Sequence, residues 1–209
     1  MKYLITIATL FVIGSMVGWV IELFFRRFVS QKKWVNPGFL TGPYLPIYGF
    51  GVIVLYAISN INFGIENQIL DVVIKIAIIG IGMTVIEFIA GLIFIKGMKI
   101  KLWDYSNRKG NIMGIICPSF SIIWLLVGSL YFFFVNPFLV NALIWISENL
   151  IYTFFVGLVI GMVIVDFAYS IHLLTKLKKF KETQSMRYEE VKTMFKNKVK
   201  ELRNKKGEL

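Results

Sequence analysis

The chain has 209 residues, of which 57% are hydrophobic, 16% aromatic and 17% charged, with a formal net charge of +11 and a mean hydropathy of +0.71. A soluble domain of this size carries roughly a quarter charged residues, so a large soluble catalytic domain is excluded and a bilayer is the expected solvent. One cysteine, Cys117, leaves no internal disulfide, and one histidine, His172, leaves no cluster for zinc or haem. Neither a metal nor a cofactor is expected. The phosphate-loop pattern G-x-x-x-x-G-K-[ST] is absent, so any ATP hydrolysis behind its function falls to a partner.

The N-terminal apolar stretch shows no A-x-A-like cleavage pattern around Gly14, Ser15 and Gly18, and reads as a retained first span. Five apolar segments follow in order, residues 3–25, 44–58, 69–95, 112–135 and 150–174. They predict an all-α, five-span polytopic membrane protein rather than a β-barrel, whose strands would alternate. The second segment covers only about 22 Å at 1.5 Å per residue, against a hydrocarbon core of roughly 30 Å. It either continues through Asn60 and Asn62 or ends in a re-entrant segment. The domain plan is a five-span membrane domain over residues 1–175 and a basic tail over 176–209.

Loop charges set the expected orientation. Arg26, Arg27, Lys32 and Lys33 follow the first span, and Lys96, Lys99, Lys101, Arg108 and Lys109 against Asp104 follow the third, a net +4 each. The tail has twelve Lys or Arg against five Glu, whereas Lys2, Lys75, Glu66, Asp71 and Glu148 on the other flank come to −1. Positive-inside logic places the N-terminus outside and the tail in the cytoplasm. High basicity here reports topology, and no nucleic acid is expected.

The chain also repeats itself. Val20-Ile21-Glu22-Leu23 answers Val85-Ile86-Glu87-Phe88, and Gly42-x-x-x-Pro46 before the second segment answers Gly114-x-x-x-Pro118 before the fourth. The unit is a two-span hairpin, repeated in parallel over residues 3–58 and 69–135, with the fifth span as a half unit. A proline within a helix collides with the carbonyl four residues back, here that of Gly42 or Gly114, so each even span is expected to begin with a kinked or broken turn.

Glu22, Glu87 and Asp166 need explaining, because a carboxylate in a span costs on the order of 3 kcal/mol even on the gentlest scale. Glu22 has Arg26 four residues on, in the favourable acid-first order. Glu87 has no partner on its own helix and must be protonated, paired across helices or wet. It shares a small, polar face with Gly80, Thr84 and Gly91. Asp166 lies with Met162, Tyr169 and Ser170. Trp34, Tyr44, Trp103 and Tyr105 read as an inner aromatic belt, and Trp145 with Tyr152 as an outer one. In the tail, Tyr188, Val191, Phe195, Val199 and Leu202 fall at near-heptad spacing among lysines, predicting a cytoplasmic amphipathic helix.

The polar loops carry a family resemblance. Gly18-Trp19 with Glu22, Asn36-Pro37-Gly38-Phe39-Leu40 with Gly42-Pro43 and Pro46-Ile47-Tyr48-Gly49, then Trp103-Asp104-Tyr105-Ser106 with Asn111, Gly114, Cys117-Pro118 and Trp124, resemble the bacterial ABC-transporter type IV, permease-like membrane protein family over roughly residues 10–170. The resemblance implies a multispanning, permease-like subunit of a bacterial cytoplasmic membrane and gives no substrate; the missing phosphate loop leaves ATP hydrolysis to a partner ATPase, and the even-span N-termini under basic loops favour a small anionic or lipid-like substrate. Membrane lipids are expected partners, and self-association is left open. The candidate ligand-binding residues are Glu22, Glu87, Asp166, Asn36, Gly42, Pro46, Trp103, Asp104, Asn111, Gly114 and Pro118. No catalytic residue is assigned, since no nucleophile–base pair is evident. Two alternatives stay open: an intramembrane enzyme acting on lipid-linked substrate with Glu22 or Glu87 as acid/base, and an accessory or sensory protein working through its basic tail.

Overall fold

The computed structural model describes residues 2–97, 99 and 101–206. Among them the regular elements are helices: α1 (Lys2–Phe25), α2 (Pro46–Asn60), α3 (Gln68–Leu92), α4 (Pro118–Leu130), α5 (Asn136–Glu148) and α6 (Leu150–Lys206). Five-residue π-helical turns extend α1 (Arg26–Ser30) and α3 (Ile93–Gly97) and join α4 to α5 (Tyr131–Val135). Among the described residues four stretches are long and apolar enough to cross a membrane: Lys2–Ser30, Gln68–Gly97, Pro118–Glu148 and Ile151–Leu173. The helix α2, at 15 residues, is shorter and ends at Asn60 rather than running on to Asn62.

The glycine–proline motifs mark helix entrances rather than kinks. Pro46 and Pro118 are the first residues of α2 and α4, and the preceding Leu45 (φ −121°, ψ 98°) and Cys117 (φ −152°, ψ 155°) are extended. The reason is local. A first-turn N–H has no intrahelical acceptor, so proline loses nothing there and brings its preset φ, while its ring pushes the residue before it out of the helical region. Helix also continues beyond residue 135, outside the five apolar segments: the π-helical turn Tyr131–Val135, in which Asn136 N–H bonds Tyr131 O, leads directly into α5, and Pro137 sits where this widened turn changes the hydrogen-bond register.

Small residues set how closely the helices approach. A Cβ added at Gly18 of α1 would collide with the ring of Tyr48 on α2, and one at Gly91 of α3 would collide with Ile115 ahead of α4. The Gly80 face of α3 meets Leu125 of α4. One apolar cluster centres on Leu55, Ile58, Ile79, Met83 and Tyr131. A second gathers Leu40, Tyr44 and Val163, with Phe11 and Phe39 against it. Tyr44 is thus a core residue rather than a belt residue. Leu45, Ile115 and Cys117 are buried as well, so the extended backbone entering α2 and α4 lies within protein, where non-helical chain is tolerated at membrane depth.

The chain divides into two compact units, Met1–Val163 and Ile164–Leu209. In the second, the backbone is helical through Lys206. The side chains of Tyr188, Val191, Phe195, Val199 and Leu202 lie outside the described residues, and with them the amphipathic face expected of the tail.

Candidate functional site

In the first hairpin the loop between α1 and α2 is organised by one amide. Asn36 Oδ1 accepts from the Trp19 indole at 2.9 Å and from the Gly38 amide at 3.2 Å, and its Nδ2 donates to the carbonyls of Leu40 (2.9 Å) and Thr41 (3.3 Å). Leu45 N donates to Ser15 O at 2.9 Å, which fastens the entrance of α2 to α1. At the end of this frame sits Glu22. It accepts from Arg26 Nε at 3.2 Å, the i,i+4 pair expected from sequence, and from Tyr48 Oη of α2 at 3.0 Å. Gly18 makes the second bond possible, because only a residue without a Cβ lets the Tyr48 ring lie against α1.

The second hairpin builds a counterpart with different parts. Asn111 Oδ1 accepts from Gly114 N at 3.0 Å, and its Nδ2 donates to the carbonyls of Ser106 (3.2 Å) and Arg108 (2.8 Å). Trp103 donates to Ile115 O at 2.8 Å, and Tyr105 N to Gly114 O at 2.8 Å. Gly114 has φ +68°, and a Cβ there would also collide with Ser106 Oγ, so both backbone and space demand glycine. Asp104 accepts from Ser106 N (2.9 Å) and Ser106 Oγ (2.5 Å) and pairs with Lys101 at 2.9 Å. The Ser106 hydrogen bonds and Lys101 hold its carboxyl well below the usual carboxylate range.

This loop delivers Tyr105 to Glu87. Glu87 is 5% exposed; Tyr105 Oη donates to its Oε1 at 3.0 Å and Trp124 Nε1 of α4 to its Oε2 at 2.9 Å. The Tyr105 ring stacks on Phe120 at 4.3 Å. Burial, and then the neighbouring Glu87 carboxyl, push the Tyr105 hydroxyl far up, so it stays a neutral donor. Two donors on two oxygens meet the requirement that a buried polar group be bonded. Neither donor brings positive charge.

The two acids meet through their aromatic donors. Tyr48, bonded to Glu22, lies edge-on to Trp124, bonded to Glu87, with ring centroids 6.4 Å apart. The fold therefore brings Glu22, Tyr48, Trp124, Glu87 and Tyr105 into one network between the hairpins. Asn36 ties its loop to Trp19 of α1, Trp103, Asp104 and Asn111 spend their polar atoms on their own loop, and Gly42, Pro46, Gly114 and Pro118 shape the two helix entrances. Asp166 belongs to the second unit, where it is buried and accepts from Ser170 Oγ at 3.0 Å.

One turn beyond Glu87, a void of about 10 Å³ beside Gly91, Trp103 and Ile115 has room for one water. A cleft of about 300 Å³ lies beside Lys2, Thr6, Tyr56, Leu143 and Glu148, some 30 Å along α1 from Glu22 at 1.5 Å per residue. Tyr48 and Trp124 stood within the sequence motifs but were not among the candidate residues. The signal that could have found them is the need of an unpartnered membrane acid for an N–H or O–H on the facing helix.

Apolar helices of spanning length, small-residue contacts and acids bonded across helices define a polytopic α-helical membrane protein. Residues 9–171 match the family model described as "Putative ABC-transporter type IV", and the chain belongs to that family. No curated protein and no solved structure gives a significant match.

Proposed function

We propose that this protein is a permease-like membrane subunit of an ABC-type transporter, working with a partner ATPase on a small anionic or lipid-like substrate. The observation that carries this reading is the Glu22–Tyr48–Trp124–Glu87 network. Carboxyl groups in a span are expensive, and here two of them, on different hairpins, share one aromatic bridge. In this reading a relative movement of the hairpins breaks or makes that bridge, and the acids face the substrate path when it opens. Basic loops above them attract an anion. Asn36, Gly42, Pro46, Trp103, Asp104, Asn111, Gly114 and Pro118 hold the helix entrances around that path.

The reading includes five spans, with α2 and its buried entrance as the second, a parallel repeat of the two hairpins, and a bacterial cytoplasmic membrane with the N-terminus outside. Matching features support the repeat. Each hairpin has an acid near the end of its first helix, a π-helical turn after it, a buried extended entrance and an aromatic donor on its second helix.

The test is a mild-detergent pull-down of the full chain from native membranes, followed by transport or ATPase assay of what copurifies. An ATPase subunit is the expected partner. Glu87→Gln, which keeps size but cannot ionise, should insert and copurify normally yet lose coupled activity. A native complex without an ATPase, or full activity in Glu87→Gln, would refute the reading.

A further inference from the structure

At the end of α1 a second constellation stands apart from the acids. The rings of Phe24 and Phe28 stack at 6.0 Å, and Trp34 meets both edge-on at 5.7 and 6.2 Å. All three are exposed, at 48%, 68% and 57%, which makes one aromatic shelf facing outward. The Arg27 guanidinium lies over the Trp34 ring, 5.6 Å from its centroid, and donates through Nη1 to the Lys32 carbonyl at 2.5 Å. That carbonyl is aimed by a closed turn. Gln31 N and Lys32 N both donate to Arg26 O, at 2.8 and 3.0 Å, and Lys32 turns the chain back with φ +55°.

Neither a carbonyl nor a π face neutralises a guanidinium. Among the described residues no carboxylate pairs with Arg27, Lys32 or Lys33, and the acid at this end of the helix, Glu22, is taken by Arg26 and Tyr48. The result is a guanidinium held on an exposed aromatic shelf with donors to spare, and two exposed lysines in the turn that follows it. We propose that this is a binding site for the headgroup of an anionic phospholipid. The cations, Arg27 first, hold the phosphodiester, and Phe24, Phe28 and Trp34 pack against the glycerol and upper acyl chains.

Each part of the ligand answers a part of the site. A planar guanidinium recognises phosphate oxygens in pairs. The uncompensated positive charge favours a headgroup with net negative charge over a zwitterionic one, whose own ammonium it repels. Exposed aromatic rings beside the cations distinguish a lipid from a free phosphate, which would satisfy the charges and leave the shelf bare. The proposal is independent of the transport reading, since it uses none of the acid network.

The experiment is native mass spectrometry of the full chain in neutral detergent, equilibrated with equal amounts of phosphatidylglycerol and phosphatidylcholine, with inorganic phosphate as a separate competitor. The expected result is preferential retention of phosphatidylglycerol that phosphate at matched concentration does not displace. Arg27→Gln with Lys32→Gln and Lys33→Gln should reduce the preference by more than tenfold, at roughly fivefold per neutralised cation. Arg108→Gln with Lys109→Gln, in the other basic loop, should leave it within twofold. Trp34→Leu, which keeps all charges, should lower retention through loss of the arginine–indole contact. If the triple variant does not purify as a folded protein, Lys33→Gln alone, at an exposed side chain, should show the single fivefold step. Equal retention of the two lipids by the wild type, an unchanged preference in the folded charge variant, or displacement by inorganic phosphate would each overturn the proposal.

Discussion

Tyr105→Phe is the most direct probe of the acid network. The substitution deletes one hydroxyl and nothing else, since phenylalanine keeps the stack on Phe120 at 4.3 Å. It leaves Glu87 Oε1 without its donor at a residue 5% exposed, while Oε2 keeps Trp124. A buried acceptor stripped of its partner costs about 1–3 kcal/mol, whereas interhelical hydrogen bonds in membranes average nearer 0.6 kcal/mol because the unfolded chain also finds partners. The carboxyl decides between these figures, since it is acidic, nearly sealed and has no cation to fall back on. A loss of about 1–2 kcal/mol follows. Tyr48→Phe removes the equivalent hydroxyl from Glu22, but that carboxylate keeps Arg26 and is 24% exposed at its side chain. Its loss should be smaller, below about 1 kcal/mol. Reversible unfolding in mixed micelles, titrated with a denaturing detergent, measures both. A Tyr48→Phe loss equal to or above that of Tyr105→Phe, or a neutral Tyr105→Phe, would refute the view that Glu87 depends on its two neutral donors.

Gly114→Ala should loosen the loop ahead of α4, since it meets both a positive φ and a collision with Ser106; about 1–3 kcal/mol is expected, read as faster protease cleavage between residues 101 and 117. The carboxyl of Asp104 is depressed, so its contribution to the loop is complete above the unfolded-state value near 3.9 and is lost only as pH falls through the lower folded value. The Ser106 amide nitrogen shift should therefore stay constant from pH 7 to pH 5, and titration within that window would contradict the assignment. With Cys117 replaced by Ser, a cysteine at Asn62 should react with an impermeant reagent in intact cells and one at Ser106 should not; the opposite pattern would invert the proposed orientation.

The sequence by itself determined the membrane class, the family and, α5 apart, the places of the apolar helices, because hydropathy and loop motifs are local properties that survive without tertiary information. The i,i+4 pairing of Glu22 with Arg26 was legible for the same reason, as both groups share one helix. What the glycine–proline motifs do was decided by their place in the chain fold. The same proline kinks a helix or starts one according to whether hydrogen-bonded turns precede it, and here the loops braced by Asn36 and Asn111 lead into the extended, buried Leu45 and Cys117. The partners of Glu87 were likewise out of reach of sequence. Tyr105 and Trp124 lie 18 and 37 residues away, and only the close approach of α3 to α4, which Gly80 and Gly91 permit, turns a loop tyrosine and a helix tryptophan into the donors of one buried acid. Periodicity assigns a residue to a face, but the identity of the opposite face depends on packing between distant segments.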